Sequence, residues 1–138
     1  PRSTLFPYTT LFRSISERGF DFRKGIAVIP AKDWDEMTKG EADSVFLAPG
    51  PERAITQEMR QEAFDNYTTT DDHGMHITGI AMDEYGTKYY YVKNSWGVKN
   101  SKYDGWFYAS APFVAYKTMS IMLNRKAIPS DIRKKLGL

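Results

Sequence analysis

The sequence predicts an α+β fold in which a strand-rich body carries a few short helices. β-prone runs at residues 73–82 and 87–94 flank the turn-like segment 83–86, and this pattern is typical of a β-hairpin. A helix is indicated after Thr56, because the apolar side chains that follow recur with a helical period up to Asp65 or Asn66. With 138 residues, of which 41% are hydrophobic, the chain is long enough for one domain with a core.

Charge and composition exclude several classes of partner. The 19 basic and 17 acidic residues give a net charge of +2, so no excess charge calls for nucleic acid or anionic lipid. No segment approaches the roughly 18 to 20 consecutive apolar residues of a transmembrane helix. The chain has no cysteine, which excludes disulfides but leaves the cellular compartment open. We therefore expect neither a nucleic acid nor a membrane partner.

The first 14 residues differ in character from the rest. The chain begins at Pro1 without an initiator methionine, and residues 1–14 resemble a translated sequencing adapter. They lack the continuous apolar stretch and the cleavage site of a secretory signal. We interpret residues 1–14 as a non-native leader and residues 15–138 as the protein proper. The alternative is an ordinary apolar strand interrupted by Pro7.

Residues 15–66 are predicted to form connections and one packing helix. A short extended run leads to Pro30, which cannot donate a hydrogen bond within a central strand. The stretch 31–51 is rich in charges, proline and glycine, and we expect surface loops there with at most one short strand around Val45, Phe46 and Leu47. The helix capped by Thr56 has no evident chemistry.

The hairpin brings two polar side chains together. His73 lies ten positions before Asp83, and Asn94 lies eight positions after Gly86, so both reach the open end of the hairpin. The exact register is not fixed, because a turn of this length allows a bulge. Strand alternation places His73 and His76 on opposite faces, so the two histidines should not share a function. Since zinc usually needs three or four converging ligands, no metal site is expected.

Several short motifs occur in a fixed order along the second half of the chain. They are His73-Gly74-Met75, Ile77-Thr78-Gly79-Ile80, Asn94-Ser95-Trp96-Gly97, Gly105-Trp106-Phe107-Tyr108-Ala109-Ser110, Tyr116-Lys117-Thr118 and Ile128-Pro129. In this order and spacing they resemble the C-terminal part of the bleomycin hydrolase and aminopeptidase C group of papain-like cysteine peptidases. The resemblance implies the antiparallel β-barrel-like half of that fold, with a closing strand at residues 116–118 and a terminal helix.

The resemblance also implies roles for individual residues. His73 would form an imidazolium paired with a cysteine thiolate and later protonate the leaving amine of a peptide substrate. Asn94 would accept a hydrogen bond from the other imidazole nitrogen, and Trp96 would shield that bond from water. The cysteine would lie in a missing upstream part, so this chain alone should be inactive. No cofactor is implied.

The end of the chain carries the remaining expectations. Ser130 is a candidate N-cap for a helix with basic residues in its last turn. By resemblance, Leu138 would lie in the active-site cleft and limit cleavage to the substrate's amino end, although exopeptidase and endopeptidase modes both stay open. The family also suggests a homo-hexamer and a cytoplasmic location. The alternative function is a cysteine-free, non-catalytic interaction domain that retains the papain-like fold.

Overall fold

The structure is a computed structural model that describes residues 18–69, 73–99 and 101–138, together with the backbone of residues 8–12. Among these residues, seven strands form one sheet in the order β2-β3-β6-β5-β4-β1-β7. All neighbouring strands are antiparallel except β3 and β6, which run parallel. The strands are β1 (Tyr8–Phe12), β2 (Phe20–Asp21), β3 (Ile26–Ala27), β4 (His73–Met82), β5 (Lys88–Lys93), β6 (Trp106–Ser110) and β7 (Thr118–Met122).

Helices in the described residues are short. The α-helices are α1 (Lys39–Ser44), α2 (Gln57–Asp65), α3 (Ala111–Lys117) and α4 (Ser130–Lys135), and 3-10 turns occupy Trp34–Glu36 and Arg125–Ala127. Across these ranges, no helix is both long and apolar enough to cross a bilayer. The predicted α+β class is therefore confirmed at the level of secondary structure.

The predicted hairpin is confirmed as β4 and β5, and Asp83 shapes its turn. The Asp83 Oδ1 atom accepts hydrogen bonds from the backbone N–H groups of Tyr85, at 2.9 Å, and Thr87, at 2.8 Å. Gly86 supplies the positive φ of 81° that this turn requires. A bulge interrupts the pairing between Ile77 and Gly79. The turn and the bulge together fix the register that the sequence left open.

The core lies on one face of this sheet, where α3 covers it. Met75 and Ile77 of β4 point to this face with Val92 of β5 and Phe107 of β6, and Phe113 of α3 packs against them. Phe107 is only 1% exposed. Burial of such a side chain contributes roughly 1.5 to 3 kcal/mol. The predicted alternation along β4 is thus the alternation of core and outer faces.

The segment 31–51 corrects one prediction. It contains helix α1 where loops were predicted, and the short strand that the sequence allowed around Val45 does not form. Thr38 and Glu41 form a capping box, in which the Thr38 side chain accepts from the Glu41 N–H and the Glu41 carboxylate accepts from the Thr38 N–H. These bonds satisfy the first backbone donors of the helix. The predicted helix after Thr56 is confirmed as α2, with the Thr56 hydroxyl accepting from the Met59 N–H at 3.3 Å.

The region predicted as a closing strand begins as a helix. Tyr116 and Lys117 belong to the end of α3, and the strand starts only at Thr118. The helix forms because the Ser110 hydroxyl accepts from the Phe113 N–H at 3.2 Å, and Pro112 in the first turn has no N–H to satisfy.

Helix α4 also differs by one residue from its prediction. Its N-cap is Pro129, and Ser130 is the first helical residue without a capping bond from its side chain. The Pro129 carbonyl already accepts from the Arg133 N–H at 2.9 Å, so the helix begins before the serine could cap it.

Part of the predicted leader belongs to the sheet. Residues 8–12 form β1, which lies between β4 and β7, and Phe12 pairs with His73 along the backbone. The alternative left open by the sequence, a strand, therefore describes these five residues. The other leader residues, 1–7 and 13–14, lie outside the described residues. The non-native origin of residues 1–14 stays a prediction.

Glu52 joins the segment after β3 to the N-cap of α3. Its Oε2 atom accepts from the backbone N–H of Ile29, at 2.9 Å, and from the Ser110 hydroxyl, at 2.5 Å. Its Oε1 atom is buried without a hydrogen-bond partner among the described residues. Burial raises the pKa of Glu52 above its ordinary value of 4.5, although the two hydrogen bonds oppose this shift. The carboxylate is therefore placed where its charge is disfavoured.

Replacing this carboxylate should change how stability depends on pH. Because the folded-state pKa of Glu52 is raised, its contribution to stability is fully present below pH 4.5 and is lost as the pH rises through the folded-state pKa. We expect the free energy of unfolding of the Glu52→Gln variant, relative to wild type, to increase as the pH rises through this window. Urea titrations at low protein concentration measure this difference, with the exposed Glu62→Gln change on α2 as the control. A Glu52→Gln curve parallel to wild type would contradict the assignment.

Candidate active site

The hairpin places His73 and Asn94 side by side. His73 opens β4, and Asn94 follows the last residue of β5. The His73 Nε2 atom lies 2.7 Å from the Asn94 Oδ1 atom. An amide oxygen only accepts hydrogen bonds, so Nε2 carries the proton in the neutral ring and Nδ1 keeps a free lone pair. This nitrogen is left to act as a base or, once protonated, as an acid.

The bulge in β4 decides which histidine faces Asn94. On the His73 side of the bulge, His76 pairs with Lys93 and Ile77 with Val92, whereas on the turn side Gly79 pairs with Tyr91. Thr78 is the extra residue. If Thr78 instead paired with Val92, the regular register would continue from Gly79 and set His76 opposite Asn94, on the same face.

Asn94 is fixed from several sides. It is 2% exposed, and its backbone N–H donates to the Gly105 carbonyl at 2.9 Å, which closes the loop between β5 and β6. Ser95 makes a weaker contact, because its Oγ lies 3.4 Å from the His73 Nε2 atom. The Asn94 Nδ2 group is buried and has no hydrogen-bond partner in the described part of the chain.

Aromatic rings cover the imidazole. The Trp96 ring centroid lies 4.8 Å from that of His73, at an interplanar angle of 34°. Phe22 meets Trp96 edge-on at 5.6 Å, and Phe20 lies 6.4 Å from it. Trp96 remains 50% exposed, so one side of this cluster is open to solvent. Trp96 thus lies beside His73, and its shielding role stays a prediction.

Phe20 and Phe22 were missed by sequence reasoning. The spacing in Phe20-Asp21-Phe22 could have indicated that the two rings lie together, because alternate residues of an extended segment point to the same side. Two aromatic rings spaced two residues apart indicate a shared packing partner, but the sequence does not say that this partner is Trp96.

The other candidate residues are His76 and Leu138. His76 is on the outer face, and its Nε2 atom is buried without a partner among the described residues. Over the same residues, no group of three or more His, Cys, Asp or Glu side chains could hold a metal ion. Leu138 follows α4, and its N–H donates to the Arg133 carbonyl at 3.0 Å. Its predicted place in a substrate cleft stays a prediction.

Comparisons with known proteins point to one family. The model of the Peptidase C1-like family matches residues 54–137, which include His73 and Asn94. No curated protein matches the sequence significantly. Among solved structures, a crystal structure of PepW from Lactobacillus rhamnosis HN001 (DR20), determined as the selenomethionine derivative, is similar, with a TM-score of 0.56 and 21% sequence identity. The match covers 94% of this chain and 26% of the PepW chain.

The structural likeness confirms the fold predicted from the sequence. The chain has an α+β architecture with the mainly antiparallel, barrel-like β half of a papain-like cysteine peptidase and a few short helices. The parallel pair β3 and β6 is a feature that the prediction did not include. The chain spans about a quarter of the length of the PepW structure.

Gly105 should be irreplaceable in the loop that carries Asn94. Its φ is +82°, and a β carbon added there would lie 2.6 Å from the Gly97 carbonyl oxygen. Gly86 has nearly the same φ, +81°, but an added β carbon meets open space. We expect Gly86→Ala to lower the free energy of unfolding by about 1 kcal/mol and Gly105→Ala by about 3 kcal/mol, since the clash adds to the strain. Urea denaturation of both variants measures this difference, and equal losses would refute the steric argument.

Proposed function

The chain belongs to the Peptidase C1-like family, and we propose that it is the C-terminal part of a cysteine aminopeptidase similar to bleomycin hydrolase. In this proposal His73 and Asn94 are two members of a Cys-His-Asn triad that hydrolyses peptide bonds. The observation that carries it is the 2.7 Å contact between His73 Nε2 and Asn94 Oδ1, which does not use Nδ1. The chain has no cysteine, so by itself it should be inactive.

In this proposal the proton transfers all pass through His73 Nδ1. His73 Nδ1 takes the proton of a thiol supplied by the upstream part, and the resulting thiolate attacks the carbonyl carbon of the peptide bond. The imidazolium then gives this proton to the leaving amine as the C–N bond breaks, which leaves an acyl-thioester. In the second half, Nδ1 takes a proton from water as the water oxygen attacks the thioester. The acid product leaves, and the proton returns to the thiolate.

Asn94 and Trp96 would support His73 without reacting. The Asn94 amide oxygen accepts from Nε2–H in both protonation states of the ring, so it holds one ring orientation throughout the cycle. Because Asn94 is buried, this bond lies in a region of low local dielectric, where it is strengthened. The indole of Trp96 covers one side of the ring and limits access of water to the bond.

We propose that the missing upstream part is the principal partner of this chain. Large apolar side chains of the loop that carries Asn94 are exposed, among them Trp96, Val98 and Tyr103. Exposed apolar surface of this kind is typical of an interface. By family resemblance we further propose a peptide substrate, a homo-hexameric intact enzyme in the cytoplasm, and a place for Leu138 near the substrate's amino end, where its carboxylate would pair with an ammonium group.

The second candidate is a non-catalytic interaction domain. The absence of cysteine favours it, since this chain cannot supply the nucleophile. The two candidates differ in what precedes residue 15 in the natural reading frame. A Gln followed by Cys-Trp upstream would favour the peptidase, and a reading frame without them would favour the interaction domain.

Activity of the complete reading frame tests the proposal. The source DNA is sequenced upstream of Ile15, the continuous frame is expressed, and hydrolysis of aminoacyl-coumarin substrates is measured. We expect His73→Ala to lower kcat/KM by at least about 10³-fold and Asn94→Ala by roughly 10²-fold. Thiol alkylation should abolish the activity. The control is His76→Ala, because this histidine lies on the outer face and should retain kcat/KM. Hydrolysis that survives His73→Ala would refute the assigned role.

The isolated chain should behave as an incomplete body. Because apolar side chains near the site are exposed, we expect the 138-residue chain to bind a hydrophobic dye or to aggregate. Dye fluorescence and light scattering measure this, and the complete enzyme serves as the control. A clean monomer that binds no dye would contradict the proposed upstream partner.

A further inference from the structure

The loop between β5 and β6 carries Asn94 and Trp96, and Lys93 contacts both the start and the end of this loop. This lysine is the last residue of β5, directly before Asn94, and it pairs with Trp106, the first residue of β6. Its Nζ atom donates a hydrogen bond to the backbone carbonyl of Asp104. It also lies over the Trp106 ring, 5.1 Å from the centroid. The Lys93 ammonium thus links the end of β5 to the start of β6.

The backbone that Lys93 holds is unusual. Asp104 has a φ of +53°, a left-handed backbone conformation that residues other than glycine rarely adopt. Gly105 follows with a φ of +82°, and its carbonyl accepts the Asn94 N–H. A hydrogen bond from an ammonium group to a carbonyl is roughly twice as strong as one between neutral groups. The cation is therefore suited to hold Asp104 in this conformation and so to fix the Gly105 carbonyl.

We propose that Lys93 is a positioning residue that keeps the Asn94 amide oxygen on the His73 Nε2–H group. It acts through the loop: Lys93 fixes Asp104, Asp104 sets the Gly105 carbonyl, and this carbonyl holds the Asn94 backbone. The inference rests on the proposed function for its catalytic meaning, but the placement of the amide is measurable without catalysis. The ammonium of Lys93 touches neither the imidazole nor a reacting atom in this scheme.

Solvent exchange of the His73 Nε2–H proton tests the proposal by NMR on the 138-residue chain. Lys93→Met keeps the apolar stem over Trp106 and removes the ammonium group, and we expect exchange to become about tenfold faster or more. Lys93→Arg keeps a cationic donor and should retain exchange within about threefold. Lys88→Met removes a lysine from the exposed start of the same strand and should change nothing. Asn94→Ala gives the exchange rate of an imidazole without its acceptor.

Limited trypsin digestion at low concentration gives a second measurement that does not require a well-dispersed sample. Cleavage after Lys102, in the loop, is compared with cleavage after Lys126, outside it. We expect this ratio to rise about fivefold in Lys93→Met and to stay at the wild-type value in Lys93→Arg. Unchanged exchange and an unchanged cleavage ratio in Lys93→Met would overturn the proposal, as would equal effects of Lys88→Met. Neither readout uses a thiol or a substrate, so their failure is separate from a failure of the proposed peptidase activity.

Discussion

The one-residue bulge at Thr78 is the constraint on which the site depends. Strand side chains alternate with a period of two, so a single extra residue moves every later side chain to the other face. On the turn side of Thr78, the pairing of Met82 with Lys88 runs regularly to that of Gly79 with Tyr91. On the His73 side of Thr78, the pairing is displaced by one residue, and this displacement sets His73 on the same face as Asn94. The Thr78 hydroxyl donates to the Tyr91 carbonyl at 3.2 Å and helps to hold the bulge in place.

The same displacement serves the core. Met75 and Ile77 reach the buried face together with His73. Val92 of β5 and Asn94, which follows β5, lie on the same face. Packing of these apolar side chains and formation of the His73–Asn94 bond therefore require the same register. A register error would expose Met75 and separate the imidazole from the amide at once. Stability of the fold and geometry of the site are coupled through the hairpin.

Part of the site could be predicted because it depends on local signals. The turn residues near Gly86 and the lengths of the two β-prone runs were enough to bring His73 and Asn94 to one end of a hairpin. The bulge could not be predicted, since a bulge at any of several positions satisfies the same turn. The aromatic cluster was missed because Phe20 lies far from Trp96 in sequence.

The errors in the helices have a common physical origin. Around Val45 the apolar run suggested a strand, but a capping box at Thr38 had already started a helix six residues before it. At Tyr116 the family resemblance predicted a strand, but the cap at Ser110 starts helix α3, which continues through Lys117. In both regions a polar side chain that satisfies the first free N–H groups outweighs the β propensity of residues further along. Capping residues therefore carry more information about these short elements than their apolar content does.

The placement of these groups bears on what the proposed upstream part would contribute. His73, Asn94 and Trp96 owe their mutual geometry to the hairpin, the loop closed at Gly105 and the ring contacts of Phe20 and Phe22, all within this chain. The imidazole is oriented through Nε2, so in the proposed triad only Nδ1 would need a partner from outside. If the proposed triad is correct, the upstream part has to bring one thiol to one nitrogen, and the orientation of the base does not have to be established during assembly.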